Sequence, residues 1–344
     1  MKVLHLLASN RYSGAENVVC QIMNMFAEDA GVEMVYCSPD GKIKDALAEK
    51  GISFLPIEKL SVSQVKKAIK TFKPDVIHAH DVKASMIAAL SCGKTKLISH
   101  NHGNNIDNGL SIKSMLYAWS AKRADHVFWV SKAAYEGYAF REKLAHKCSV
   151  LQNVIDIASL KTKCSEDTNA YAYDVVYVGR LTTAKNPTRL MQICRLLVEK
   201  NPDIQIAIAG TGEMEAETKA EWNALKLQEN VSFLGFVSNP YKLLASSKVM
   251  IMTSIFEGTP MVALEAMALG VPIVSTPVGG MCDLVEHGVN GYLCDDNATF
   301  AKLVTEICMD DTKHQQLSQN ASERAMEIND VTQYREQIKK AYYQ

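Results

Sequence analysis

Two carboxylates flank a Thr-Pro pair in the segment Ser254-Ile255-Phe256-Glu257-Gly258-Thr259-Pro260-Met261-Val262-Ala263-Leu264-Glu265-Ala266. Thr259 is a natural helix N-cap and Pro260 a natural first helical residue. A helix starting there offers the free N–H groups of Met261 and Val262, and the positive end of its dipole, to an anion. The spacing puts Glu257, followed by Gly258, at the helix mouth and Glu265 along its flank. Carboxylates beside a bound anion are unfavourable unless they accept hydrogen bonds from hydroxyls, and a sugar supplies those. A glutamate in an apolar helix is otherwise costly to bury.

Cations stand at another strand-to-helix turn. Tyr177-Val178-Gly179-Arg180-Leu181 is followed by Lys185-Asn186-Pro187. Asn186 can cap the helix that Pro187 begins. Arg180 and Lys185 above a strand end make an anion site, for which a diphosphate is the obvious guest. Gly14, in Ser13-Gly14-Ala15-Glu16, lets the first βα turn approach a ligand, although that turn lacks the three-glycine dinucleotide fingerprint. Ala209-Gly210-Thr211-Gly212 reads as a close-approach turn. His78 and His80 close one strand, and His100 and His102 lie just past the end of the next. Any single one is more often a hydrogen-bonded loop or core histidine than a functional group. Four at adjacent strand ends point to at least one functional histidine.

The elements that must position these residues follow from hydrophobic runs. Val3–Leu7, Glu33–Cys37, Ile52–Leu55, Asp75–His78, Lys96–Ser99, His126–Val130 and Ser149–Leu151 read as buried strands with helical patterns between most of them. The pattern restarts at Asp174–Val178 and continues through Ile204–Ala209, Val231–Leu234, Val249–Met252 and Pro272–Val274. Short apolar runs alternating with helices indicate parallel sheets covered on both faces. The polar stretch from Lys161 to Ala172 is the best linker. The domains expected are 1–160, a linker at 161–173, 174–325, and a C-terminal helix at 326–344 that packs back on the first domain. Ligands in such folds sit at the carboxyl ends of the strands, so the site is expected in a cleft between two doubly wound α/β domains.

The 344 residues suit two domains, and 22% charged with 47% hydrophobic residues is globular. A formal net charge of −1 removes any strong case for nucleic acid. The charge is uneven: residues 1–160 carry 20 basic and 15 acidic side chains, the remainder 17 and 23. Nine cysteines without metal spacing argue against zinc and fit a reducing cytoplasm. No window reaches the roughly 18 apolar residues of a spanning helix. Five lysines and no acid between Lys59 and Lys73, and Tyr117 and Trp119 beside Lys113, Lys122 and Arg123, suggest peripheral attachment to an anionic membrane.

The Glu257/Glu265 pair, the Gly-Arg-Leu…Lys-Asn element, Asn153-Val154-Ile155-Asp156, and Gly270-Val271-Pro272-Ile273-Val274 with Gly279-Gly280 resemble the retaining glycosyltransferases of family 4, of the GT-B fold. The resemblance runs essentially the whole chain and is nearest to enzymes of capsule, exopolysaccharide and O-antigen assembly. It implies two Rossmann-like domains facing across a cleft. It implies transfer from a nucleotide-diphospho-sugar, a UDP-sugar by preference, to a saccharide or lipid-linked saccharide, with retention; the cations, the helix amides and the lack of an Asp-x-Asp pair point to a reaction without a metal cofactor. Glu257 would contact donor-sugar hydroxyls and Glu265 the ribose. Arg180, Lys185 and the Met261 and Val262 amides would hold the diphosphate, with Gly14 closing over it. Phe236 and Val237 lie where the base packs. His102 matches the family histidine near the donor sugar, with His100 a near alternative, and His80 and Ser13 are acceptor-side candidates. Ser13 stands where the family often has glycine, and Thr259-Pro260-Met261 replaces a commoner Phe-Gly-Leu-like run. The alternatives are a sugar-nucleotide epimerase of similar fold, separable by incubation with donor alone, and a non-catalytic sugar-nucleotide-binding scaffold. The missing fingerprint disfavours an NAD dehydrogenase.

Overall fold

Strands rich in Val, Ile and Leu on both faces can be satisfied only inside a covered parallel sheet, and two such sheets form. The structure, a computed structural model, describes residues 1–103 and 111–344. The first sheet contains β1 (Lys2–Leu7), β2 (Glu33–Pro39), β3 (Phe54–Ile57), β4 (Val76–His80), β5 (Lys96–Asn101), β6 (His126–Trp129) and β7 (Cys148–Val150). Its order is β3-β2-β1-β4-β5-β6-β7 and every pairing is parallel. The second contains β8 (Val175–Val178), β9 (Ile206–Ala209), β10 (Val231–Gly235), β11 (Val249–Met252), β12 (Ile273–Ser275) and β13 (Gly291–Leu293), in the order β10-β9-β8-β11-β12-β13, again all parallel. Each order reverses beside its first strand, the switch point of a doubly wound sheet.

The chain divides into two units, Met1–Asn153 with Val331–Gln344, and Val154–Asp330. Each has its own core. Leu4, Leu6, Ile77, Leu97 and Trp129 centre the first, and Tyr177, Leu190, Ile206, Ile251 and Phe300 the second.

The stretch expected as a linker differs from that expectation. Ile157–Glu166 is a helix capped by Asp156, whose carboxylate accepts the Ser159 N–H at 2.9 Å. Its polar residues face water while Leu160 is buried. The second unit therefore begins at Val154, before this helix. The tail is two helices, Asp311–Ile328 and Val331–Tyr343, and only the latter belongs to the first unit. Arg335 holds Asp29 by two bonds at 2.5 and 2.6 Å, and Tyr342 OH lies 2.7 Å from His78 Nδ1.

Strands β4 and β5 each run two residues beyond the expected ends. His80 and His100 are therefore strand residues at zero exposure, not loop residues. Asp81 then terminates β4 with φ of 98° and caps the helix Val82–Ser91 through the Ala84 N–H at 2.7 Å.

Candidate active site

In the second unit, Arg180 and Lys185 rise from the loop after β8. Arg180 is exposed, and among the described residues no ion pair holds it. Its carbonyl accepts the Tyr177 hydroxyl at 3.1 Å, which fixes the backbone beneath the guanidinium. Asn186 adopts the left-handed conformation and caps the helix Pro187–Lys200 through the Arg189 N–H at 3.3 Å.

The loop after β11 carries Glu257. Its carboxylate forms an ion pair with Lys185 and accepts the Ser254 hydroxyl at 2.6 Å. Lys185 and Glu257, assigned to different parts of a ligand by the sequence, are thus joined. Thr253 fastens the two loops by donating to the Lys185 and Asn186 carbonyls at 3.0 and 3.2 Å. Glu257 is 7% exposed, so its charge depends on these partners.

Close packing holds the Glu257 loop from the far side. Gly279 has φ of +49°, and a Cβ there would stand 1.8 Å from the Glu257 carbonyl oxygen. The Gly280 N–H donates to the Gly258 carbonyl at 2.7 Å. A side chain at either glycine would push the loop away. Gly210 has the same kind of role, since its Cβ would meet the Gly179 carbonyl at 1.8 Å. The Gly-Thr-Gly turn therefore packs loop on loop.

The helix behind Glu257 runs Met261–Ala268, with Pro260 as N-cap. This shifts the start by one residue from the expected Thr259 cap, because Pro260 has extended ψ of 121°. Met261 and Val262 still open the helix, and first-turn N–H groups have no intrahelical partner. Glu265 is half-buried on this helix and accepts the Tyr241 hydroxyl at 3.3 Å. Burial pushes its carboxyl up to about 7, with Tyr241 and Lys163 opposing the rise. Phe236, just beyond β10, is 78% exposed, with Val237 half-buried beside it.

In the first unit, Gly14 opens the helix Gly14–Met25, and a Cβ there would meet nothing within 4 Å. Internal packing gives no reason for that glycine. Ser13 precedes it and donates to the buried Glu16 carboxylate. The four expected histidines are gathered with a fifth, His5, which sequence reasoning missed. The signal was there: His5 pairs in register with His78, and His80 with His100. His5 Nδ1 lies 2.9 Å from His80 Nε2, and His80 Nδ1 lies 2.9 Å from His102 Nε2. Burial holds all five rings far below the ordinary imidazole range, His5 and His102 at about 3. The rings are neutral at physiological pH. The ring nitrogens of His5, His78 and His80, and of His80, His100 and His102, come within 4.8 Å of one another. Neutral imidazoles suit zinc or copper. Yet the nitrogens of His5, His80 and His102 that meet are bonded to one another, and the His100 and His102 rings lean together with centroids 4.0 Å apart.

Two family models cover nearly all of this chain. Residues 12–159 match Glycosyltransferase Family 4, and residues 163–324 match Glycosyl transferases group 1. The chain belongs to the family 4-type GT-B glycosyltransferases. A glycosyltransferase of Methanocaldococcus jannaschii, itself uncharacterized, is 30% identical over 62% of this chain and 58% of its own length. The UDP-Gal:alpha-D-GlcNAc-diphosphoundecaprenol alpha-1,3-galactosyltransferase of Escherichia coli is 24% identical over 86% of this chain and 84% of its own. HepE of Anabaena, solved with UDP and with UDP-glucose, superposes with a TM-score of 0.85 at 24% identity, over 99% of this chain and 98–99% of HepE. The two doubly wound units are those of a GT-B glycosyltransferase. Within that family assignment, Arg180, Lys185, Glu257, Gly258, Met261, Val262 and Glu265 all lie on loops or a helix at the carboxyl ends of the second sheet.

Proposed function

We propose that this glycosyltransferase moves a hexosyl group from a UDP-sugar to a saccharide carried on a lipid diphosphate, with retention at the anomeric carbon, in cell-surface polysaccharide assembly. The observation that carries the reading is the Lys185–Glu257–Ser254 constellation, built on the loop after β8 that also carries Arg180 and on the loop after β11 that leads into the helix Met261–Ala268. Cations and helix amides stabilise a departing diphosphate, the largest electrostatic demand of such a reaction. Glu257, already paired, accepts sugar hydroxyls without repelling the phosphates. Glu265 accepts ribose hydroxyls, and Phe236 with Val237 offers apolar surface to the base. Gly14 admits the phosphates closely, and His102 orients the sugar. His100, His80 and Ser13 are assigned to acceptor-side roles, His100 and His80 as strand residues behind His102.

The chain holds no Asp-x-Asp pair for a divalent ion, and the reaction proposed is metal-independent. A double displacement needs a carboxylate on the far face of the anomeric carbon. Glu257 is the strong carboxylate at the site, and it is engaged in binding. The route favoured is therefore same-face, with the departing phosphate taking the acceptor proton. The lipid-linked acceptor is supported by the E. coli relative's name, which specifies a diphosphoundecaprenol substrate.

Residence at a cytoplasmic membrane face is part of the proposal. Among the described residues no helix is long and apolar enough to cross a membrane. The helix Ile112–Arg123 instead exposes Ile112 (78%), Met115, Leu116 and Trp119 (49%), and the adjacent helix Val82–Ser91 exposes Leu90. This corrects the expected face: Tyr117 points inward at zero exposure and bonds Ser99 at 3.0 Å. An apolar stripe flanked by Lys113, Lys122 and Arg123 suits an anionic bilayer.

The test is incubation with UDP-sugars, with and without a diphosphate-linked acceptor, with the product's anomeric coupling read by NMR. Transfer of an α-donor to give an α-product in EDTA is the result expected. A β-product, or conversion of donor alone, would sink the reading.

A further inference from the structure

The helix that carries Glu265, Met261–Ala268, is otherwise apolar, with Ala263, Leu264, Ala266 and Met267 buried. A carboxyl on such a helix takes its geometry from the few polar groups that reach it. Two do so, both from within the second unit. Tyr241 opens the short helix Tyr241–Ala245, and its hydroxyl donates to Glu265 Oε1 at 3.3 Å. Lys163, exposed on the helix Ile157–Glu166, acts by charge alone. Both helices pack on Met261–Ala268. The other elements packed on it, Ile273–Ser275, Met281–Leu284 and Asp311–Ile328, supply no charge that moves the carboxyl.

Only one oxygen of Glu265 is used. Oε2 has no hydrogen-bond partner among the described residues and is not sealed from solvent. An ionised carboxylate has about four acceptor positions, so Tyr241 leaves room for a ligand's hydroxyls. It also fixes the last torsion of the side chain, which is otherwise broad. A donor at Oε1 favours the ionised, acceptor-only form that burial disfavours. Tyr241 lies four residues past Val237. The segment assigned to the base thus leads directly to the group that sets Glu265.

We propose that Tyr241 is a positioning residue that aims Glu265 at the vicinal hydroxyls of a bound nucleotide's ribose, so that the pair distinguishes a ribonucleotide from its 2′-deoxy counterpart. Tyr241 acts through Glu265, with no contact to the nucleotide required. The inference rests on the function proposed above, in which Glu265 meets the ribose, and it draws on no side chain of the first unit.

The experiment is calorimetric titration of the full chain with UDP and with 2′-deoxy-UDP between about pH 6 and 9. The parent is expected to prefer UDP by about tenfold, the effect of one hydrogen bond to a charged group. That preference should grow as pH rises through about 7, where Glu265 ionises. Titration of the phosphates is common to both nucleotides and cancels in the ratio. Tyr241→Phe keeps the ring and removes only the hydroxyl. It should cut the preference at pH 7 to about threefold or less, move its rise to higher pH, and weaken 2′-deoxy-UDP far less than UDP. Equal weakening of both nucleotides, the result of lost packing alone, would overturn the proposal, as would a parent that shows no preference or a variant that keeps it. Carbon-13 NMR of the Glu265 carboxyl in the free protein gives a second reading. The carboxyl should titrate near 7 in the parent and higher in Tyr241→Phe; coincident titrations would refute the role of the bond. A parent that binds no UDP at all would fell the nucleotide-sugar reading itself, and this role with it, whereas UDP binding without ribose selectivity removes only the present inference.

Discussion

Lys185 and Arg180 look alike in the sequence, yet their environments differ. Lys185 is the partner of a buried carboxylate; Arg180 projects from the surface. Removing Lys185 strands Glu257, and unpaired buried charges cost about 3–5 kcal/mol. Lys185→Ala is expected to lose both nucleotide affinity and stability, the loss softened by residual solvent at the pair. Arg180→Ala should weaken UDP by roughly 1.5–3 kcal/mol and leave the unfolding midpoint in place. Titration calorimetry and urea unfolding on both variants check this; equal stability losses would contradict it. Glu265 supplies a pH dependence. Its carboxyl stands at about 7 in the fold against 4.5 ordinarily. Between those values the unfolded chain has released a proton that the fold retains, so stability falls as pH rises through the window, then levels. The drop should be on the order of 2 kcal/mol and absent in Glu265→Gln. Ribose hydroxyls favour the carboxylate, so UDP binding near pH 7 should release a proton, seen as a heat that varies with buffer ionisation. At this scale the candidate residues were readable, because Arg, Lys and Glu at strand ends are conspicuous. Their pairing was not, since Lys185 and Glu257 are 72 positions apart and only the β8–β11 adjacency joins them.

Strands were legible as apolar runs because parallel strands bury both faces. Their ends were misplaced where histidine made a buried position look polar, at His80 and His100. The helix Ile157–Glu166 was hidden by a polar composition that is only its wet face. The helix Ile112–Arg123 shows the converse, since its outward stripe is the apolar one. Replacing Met115 and Trp119 by Ser should reduce co-sedimentation with anionic vesicles more than neutralising Lys66, Lys67 and Lys70, because insertion of apolar area adds to charge attraction. Equal binding of the Met115/Trp119 variant and the parent would refute the membrane role of that face. The Gly279-Gly280 turn matters as a support of the Glu257 loop. Gly279→Ala combines a strained backbone with a 1.8 Å clash, and should cost about 2 kcal/mol or more while lowering turnover. Wild-type kinetics in that variant would show that the loop's position is not set there.

Two doubly wound units were readable from the restart of the strand pattern, but the handover between them was not. It occurs at Val154 and again at Val331, and no composition shift marks either place. The first unit is therefore built from two stretches of chain, the second of them the helix Val331–Tyr343. Truncation after Asp330 removes Arg335 from Asp29 and Tyr342 from His78. It should make the first unit the early target of limited proteolysis while the second stays protected. That discontinuity governs how the protein is made. Domains generally fold as units in the order they emerge from the ribosome. Here the unit translated first lacks its closing helix until the whole of the second has been made. The unit translated second has its whole sequence in hand sooner. The nascent first sheet must wait, with the Phe26 and His78 surface uncovered, through the synthesis of everything from Val154 to Asp330.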